Sequence, residues 1–156
     1  MSVCIIDTSI YCEILNVPNM ASRRDQTLRQ LKEKIQGREQ LLLPMTTILE
    51  TGNHIGQNGD GVLRRAAALR FVERTSQALR GETPFQTTPM VDKEQLIAML
   101  AEFPNWAGRN DARGKGSGLG DLTIHGEWNQ LCKRMPERRI YIWSLDDQLA
   151  AYDHLP

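Results

Sequence analysis

Val3-Cys4-Ile5-Ile6-Asp7-Thr8-Ser9 is a short apolar run that stops at an acid and two hydroxyl residues. It reads as a β-strand followed at once by a helix-start signal. Ile10, Ile14 and Leu15 continue at helical spacing until Val17-Pro18-Asn19 interrupts. The same grammar returns near the other end. Ile140-Tyr141-Ile142-Trp143 is strand-like, Asp146-Asp147 begins a short helix, and no strand is expected beyond it.

Between these two units the pattern alternates. Leu28, Leu31 and Ile35 predict an amphipathic helix over Arg23 to Ile35, and Leu41-Leu42-Leu43 before Pro44 is a compact buried strand. Thr46 or Thr47 is the expected cap of a helix running through Glu50 to His54, closed by Gly56, Asn58 and Gly59. Val62, Ala66, Leu69, Val72 and Leu79 are the expected apolar stripe of a long helix from Gly61 to Arg80. Phe85 to Met90 suits a short strand, and Asp92 caps a helix carrying Leu96, Leu100 and Phe103 that Pro104 should end. A glycine-rich loop follows over Gly108 to Gly118, and Gly120-Asp121 opens a helix to about Cys132. Strands separated by helices imply an α/β fold with a mainly parallel sheet.

The chain of 156 residues is long enough for one domain. Its 19 basic and 19 acidic residues cancel, so any phosphate-binding surface must be local. Cys4, Cys12 and Cys132 show no CxxC spacing, which fits a reducing compartment. Cys4 sits in an apolar run and reads as a core residue. No apolar stretch approaches the roughly 20 residues of a membrane span. The N-terminus also lacks the basic start of a secretory leader. The expected location is the cytoplasm.

In an open parallel sheet, ligand sites form beyond the carboxyl ends of the strands. Asp7 and Asp146 therefore belong to one sheet edge, and helices starting near it can bring Glu50 and Asp121 there. Taken singly, Asp7, Asp121 and Asp146 have an alternative role as helix N-caps, and Glu50 as part of a solvated face. Taken together, four carboxylates in one concavity repel unless a cation neutralises them. Hard oxygen donors suit Mg²⁺ or Mn²⁺, and such sites hydrolyse phosphodiesters.

Ile6-Asp7-Thr8-Ser9, Thr46-Thr47-Ile48-Leu49-Glu50, Gly120-Asp121-Leu122-Thr123-Ile124 and Trp143-Ser144-Leu145-Asp146 resemble, in order and context, the motifs of PIN-domain nucleases. The chain looks most like the VapC-type toxin ribonucleases. That resemblance implies a three-layer α/β/α fold and Mg²⁺- or Mn²⁺-dependent cleavage of RNA leaving a 3′-hydroxyl and a 5′-phosphate. It also implies a cognate antitoxin and a homodimer. It assigns metal binding and catalysis to Asp7, Glu50, Asp121 and Asp146, with support from Ser9 and Ser144. The match favours Asp146 over its neighbour Asp147, which could share the role. The alternatives are a PIN-type nuclease acting on DNA or structured RNA, in processing or phage defence, and a non-catalytic PIN module that binds metal or nucleic acid.

Other residues join the candidate site by position. Asn53 falls one turn after Glu50 and could orient a carboxylate or water. Arg109, Arg113 and Lys115 lie in the glycine-rich loop that leads into Asp121, which makes them the preferred substrate contacts. Glu50/His54 and Asp121/His125 are helical (i, i+4) pairs, read as rim residues rather than a His-centred metal site. Trp106 and Trp128 suit either base stacking or core packing.

Overall fold

The computed structural model describes residues 1–110 and 118–156. Its strands are β1 (Val3–Ile6), β2 (Gln40–Pro44), β3 (Phe85–Thr88), β4 (Ile140–Trp143) and β5 (Asp153–His154). Its helices are α1 (Thr8–Ile14), α2 (Arg24–Gln36), α3 (Met45–Gly56), α4 (Gly61–Leu79), α5 (Lys93–Ala107), α6 (Leu119–Arg134) and α7 (Asp147–Ala150). They form one sheet in the order β3-β2-β1-β4-β5. The first four strands are parallel, and β5 pairs antiparallel with β4.

β1 is central, and all four of its residues are 0% exposed. A strand covered on both faces needs an unbroken apolar run, which Val3 to Ile6 supplies. Alternation then sends its side chains into two cores. Cys4 and Ile6 join Leu41, Leu43, Tyr141 and Trp143 in the cluster that takes in Ile10, Tyr11 and Ile48. Val3 and Ile5 join Leu42, Ile140 and Ile142 against Ile124, Leu131 and Leu149. The sheet is thus the middle of three layers.

Local chemistry fixes the joints. After α1 the chain turns through Asn16 and Asn19, both with positive φ (55° and 65°), a conformation that asparagine tolerates better than most residues. Glu13 is 1% exposed, and its carboxylate accepts the Arg23 N–H at 3.1 and 3.2 Å. It thereby caps α2, whose own N-cap residue supplies no side-chain bond. The Tyr11 hydroxyl meets the Thr75 Oγ1 at 2.8 Å and ties α1 to α4.

Four expectations need correction. The stripe of Val62, Leu69, Val72 and Leu79 faces outward, each at least half exposed. α4 packs instead through Ala67 and Ala78, small residues that allow the helix to approach the core closely, with Phe71 partly buried beside them. In α5, Leu96 and Leu100 are likewise exposed while Met99 and Trp106 are buried. Pro104 does not end α5. The helix continues one turn, anchored by Trp106, and closes with the Gly108 N–H donating to Pro104 O. Finally, β5 is present as a two-residue edge strand, too short to carry a periodic signal.

Candidate active site

β1 is flanked by β2 on one side and β4 on the other, so the chain connections diverge in opposite directions from it. Such a switch point leaves a crevice beyond the strand ends. Asp7 stands at this point, 5% exposed, and its backbone N–H donates to Trp143 O at 3.1 Å. It occupies the N-cap position of α1, yet its side chain makes no cap bond there. Its Oδ2 accepts instead from Ser9 Oγ at 2.9 Å and from Ser144 Oγ at 2.7 Å.

Each serine also accepts a backbone N–H of the loop after β4. Leu145 N–H donates to Ser9 Oγ and Asp146 N–H to Ser144 Oγ, both at 3.0 Å. A hydroxyl has one proton to give, and both protons point at Asp7. The 3.3 Å contact between the two oxygens is therefore packing. The pair fastens the β4–α7 loop to Asp7 and sets Asp146 beside it. Asp146 does cap α7, accepting Gln148 N–H at 2.8 Å through one oxygen, Oδ1. Asp147 is exposed on the first turn of α7.

Glu50 arrives from α3. Thr47, fully buried, donates its Oγ1 to Ile6 O at 2.8 Å and bolts α3 to the end of β1. Glu50 follows about one turn later, and its Oε2 accepts Thr8 Oγ1 at 2.8 Å. Thr46 and Thr47 do not cap α3 as expected. The helix starts at Met45, after Pro44, and Thr47 is spent on β1. Asn53 and His54, one turn further, are exposed at the rim.

Asp121 lies in the first turn of α6. Burial, then repulsion from Asp7, Asp146 and Glu50, pushes its carboxyl from 3.8 up to about 6. Burial raises Glu50 as well, with Asp7 adding to it and the Thr8 hydroxyl opposing. The four acids therefore share one electrostatic site. Among the described residues, no three acid, His or Cys side chains close into a ready metal cage. The donor set nonetheless fits Mg²⁺ or Mn²⁺, since Mg²⁺ commonly uses only one or two carboxylates and completes its shell with water and phosphate oxygens.

The remaining candidates divide. Arg109 stacks over the Trp106 ring at 4.4 Å, while Arg113 and Lys115 lie outside the described residues. His125 packs among Trp106, Trp128 and Tyr152, with ring centroids at 5.1, 5.6 and 4.5 Å. Trp128 donates its indole N–H to Ile140 O, so both tryptophans serve packing. On α4, Arg70 holds Leu15 O and Asn16 O, and Arg64 holds Asn58 O. Sequence reasoning missed the donor roles of Thr8 and Thr47. Their place beside Asp7 and one turn before Glu50 was the available signal.

These features define a PIN-like α/β/α fold with a group of acids at its switch point. No family model matches the chain, and no curated protein matches it in sequence. Among solved structures it is similar to VapC20 of Mycobacterium tuberculosis, a sarcin–ricin loop cleaving toxin. The TM-score is 0.61 over 95% of this chain and 93% of that one, at 13% identity. The likeness is one of fold. No helix among the described residues is long and apolar enough to cross a membrane.

Proposed function

We propose that this chain is a metal-dependent endoribonuclease, the toxin of a toxin–antitoxin pair. The observation that supports this reading is the gathering of acids at the switch point of a PIN-like fold, where Ser9 and Ser144 tie the Asp146 loop to Asp7 and Glu50 lies against Gly120 beside Asp121. When bound, Mg²⁺ or Mn²⁺ would supply a Lewis acid and a water of lowered pKa.

Asp7, Glu50 and Asp146 are the principal ligands in this reading, and Asp121 completes the set. Ser9 and Ser144 hold Asp7 in one orientation and keep Asp146 next to it. Thr8 fixes one oxygen of Glu50. Arg109, Arg113 and Lys115 are placed by sequence to meet the phosphates of the RNA. In keeping with the neighbouring toxin, a ribosomal RNA hairpin of the sarcin–ricin type is the first substrate to test. The purified chain should cleave it with Mg²⁺ or Mn²⁺ and stop when a chelator is added. Undiminished cleavage in chelator would overturn the metal assignment, and metal-induced stabilisation with no cleavage would point to a binding module.

A further inference from the structure

α6 begins Leu119-Gly120-Asp121, with a glycine in the first helical turn, where alanine has the better helix propensity. The backbone of Gly120 has no positive φ that would call for glycine. The reason lies across the crevice. A Cβ built on Gly120 would overlap Glu50 Oε1 and Cδ and fall 3.0 Å from Oε2. The carboxylate of Glu50 occupies the space that a side chain at position 120 would fill.

We propose that Gly120 is a positioning residue: its missing side chain is the seat of the Glu50 carboxylate. Two contacts then fix this acid. Thr8 Oγ1 holds Oε2 from the α1 side at 2.8 Å, and the bare backbone of Gly120 receives the carboxylate from the α6 side. The seat explains how Glu50 of α3 comes close enough to Asp121 of α6 to raise its carboxyl. Because the carboxylate ends a flexible side chain, an alanine at 120 would not unfold the protein. Glu50 would swing out, giving up its place in the acid cluster. The metal-binding consequence rests on the proposed function; the steric seat does not.

A double-mutant cycle separates the two. Without metal, Gly120→Ala in a Glu50→Ala background should raise Tm by about 2 °C, because helix propensity improves and the seat is empty. In the wild-type background the same change should give a different shift, because it also drives the Glu50 carboxylate off Thr8 and out of the acid cluster. Equal shifts in both backgrounds would overturn the seat. By Mn²⁺ titration calorimetry, Gly120→Ala should weaken binding about 10- to 100-fold, the range for residues that orient metal ligands. It should weaken binding no further once Glu50 is alanine. Wild-type affinity in Gly120→Ala would refute the positioning role. If the wild-type chain binds no Mn²⁺ at all, the metal reading fails while the Tm cycle still decides the seat.

Discussion

Replacing Asp121 by asparagine should stabilise the metal-free protein while abolishing its activity. The carboxyl of Asp121 moves from 3.8 to about 6, through burial and through repulsion from Asp7, Asp146 and Glu50. At about 1.36 kcal/mol per unit, a shift of roughly two units corresponds to about 3 kcal/mol as an upper bound. The group keeps access to solvent, so screening reduces this to roughly 1 kcal/mol. That amounts to a Tm gain of about 2–4 °C for a chain of this size. The pH dependence follows from the direction of the shift. Folded Asp121 holds its proton to a higher pH than the unfolded chain does, so the wild type loses stability as pH rises from about 4 to about 6. Asparagine removes that loss. Thermal melts in chelator should show the variant ahead at pH 7.5 and level with the wild type near pH 4. A variant less stable at pH 7.5, or a gain independent of pH, would refute the account of a repulsive acid cluster.

Other outcomes test the surrounding structure. Mn²⁺ at a hundred times its Kd should stabilise the wild type by about 2.7 kcal/mol, seen as a concentration-dependent rise in Tm, and should stabilise Asp7→Asn much less. Ser144→Ala removes a donor to Asp7 and the acceptor of the Asp146 N–H. It should lower kcat/KM for RNA about 10- to 100-fold and lower Tm by about 2–4 °C, the equivalent of about 1 kcal/mol. Thr47→Val leaves Ile6 O without its Thr47 partner, and the urea midpoint should fall by the equivalent of about 1–3 kcal/mol at unchanged m. Ile5→Ala, at a fully buried position, should cost about 2–5 kcal/mol in the same assay.

The sheet could be read from the chain because its central strands are continuous apolar runs ended by Asp7, Pro44 and Ser144. Val3 to Ile6, Leu41 to Leu43 and Ile140 to Trp143 announce burial on both faces, and parallel topology follows from the helices between them. Helix faces were harder to read. On α4 the aliphatic residues Val62, Leu69, Val72 and Leu79 point outward, while Ala67, Ala78 and Phe71 point inward, which hydrophobicity alone does not suggest. Closeness of approach, which favours small side chains, depends on a neighbour that one sequence does not specify. The acids were placed by strand ends and by motif order. The resemblance offered Ser9 and Ser144 as supports, but the other links were not legible, since Thr8 holds Glu50 across 42 residues and Glu50 meets Gly120 from another helix. Such contacts follow from tertiary geometry and leave no local periodicity. The edge strand β5 went unseen for a simpler reason, since two residues cannot show alternation.

The central claim is that Asp7 and its companions cleave RNA by holding a divalent cation. The most direct measurement is the cleavage rate of an end-labelled RNA hairpin by wild type and Asp7→Asn, in Mg²⁺ and in chelator. The account predicts cleavage by the wild type in Mg²⁺ alone and a loss of about a hundredfold or more in Asp7→Asn. Cleavage at the wild-type rate by Asp7→Asn, or by the wild type in chelator, would contradict it.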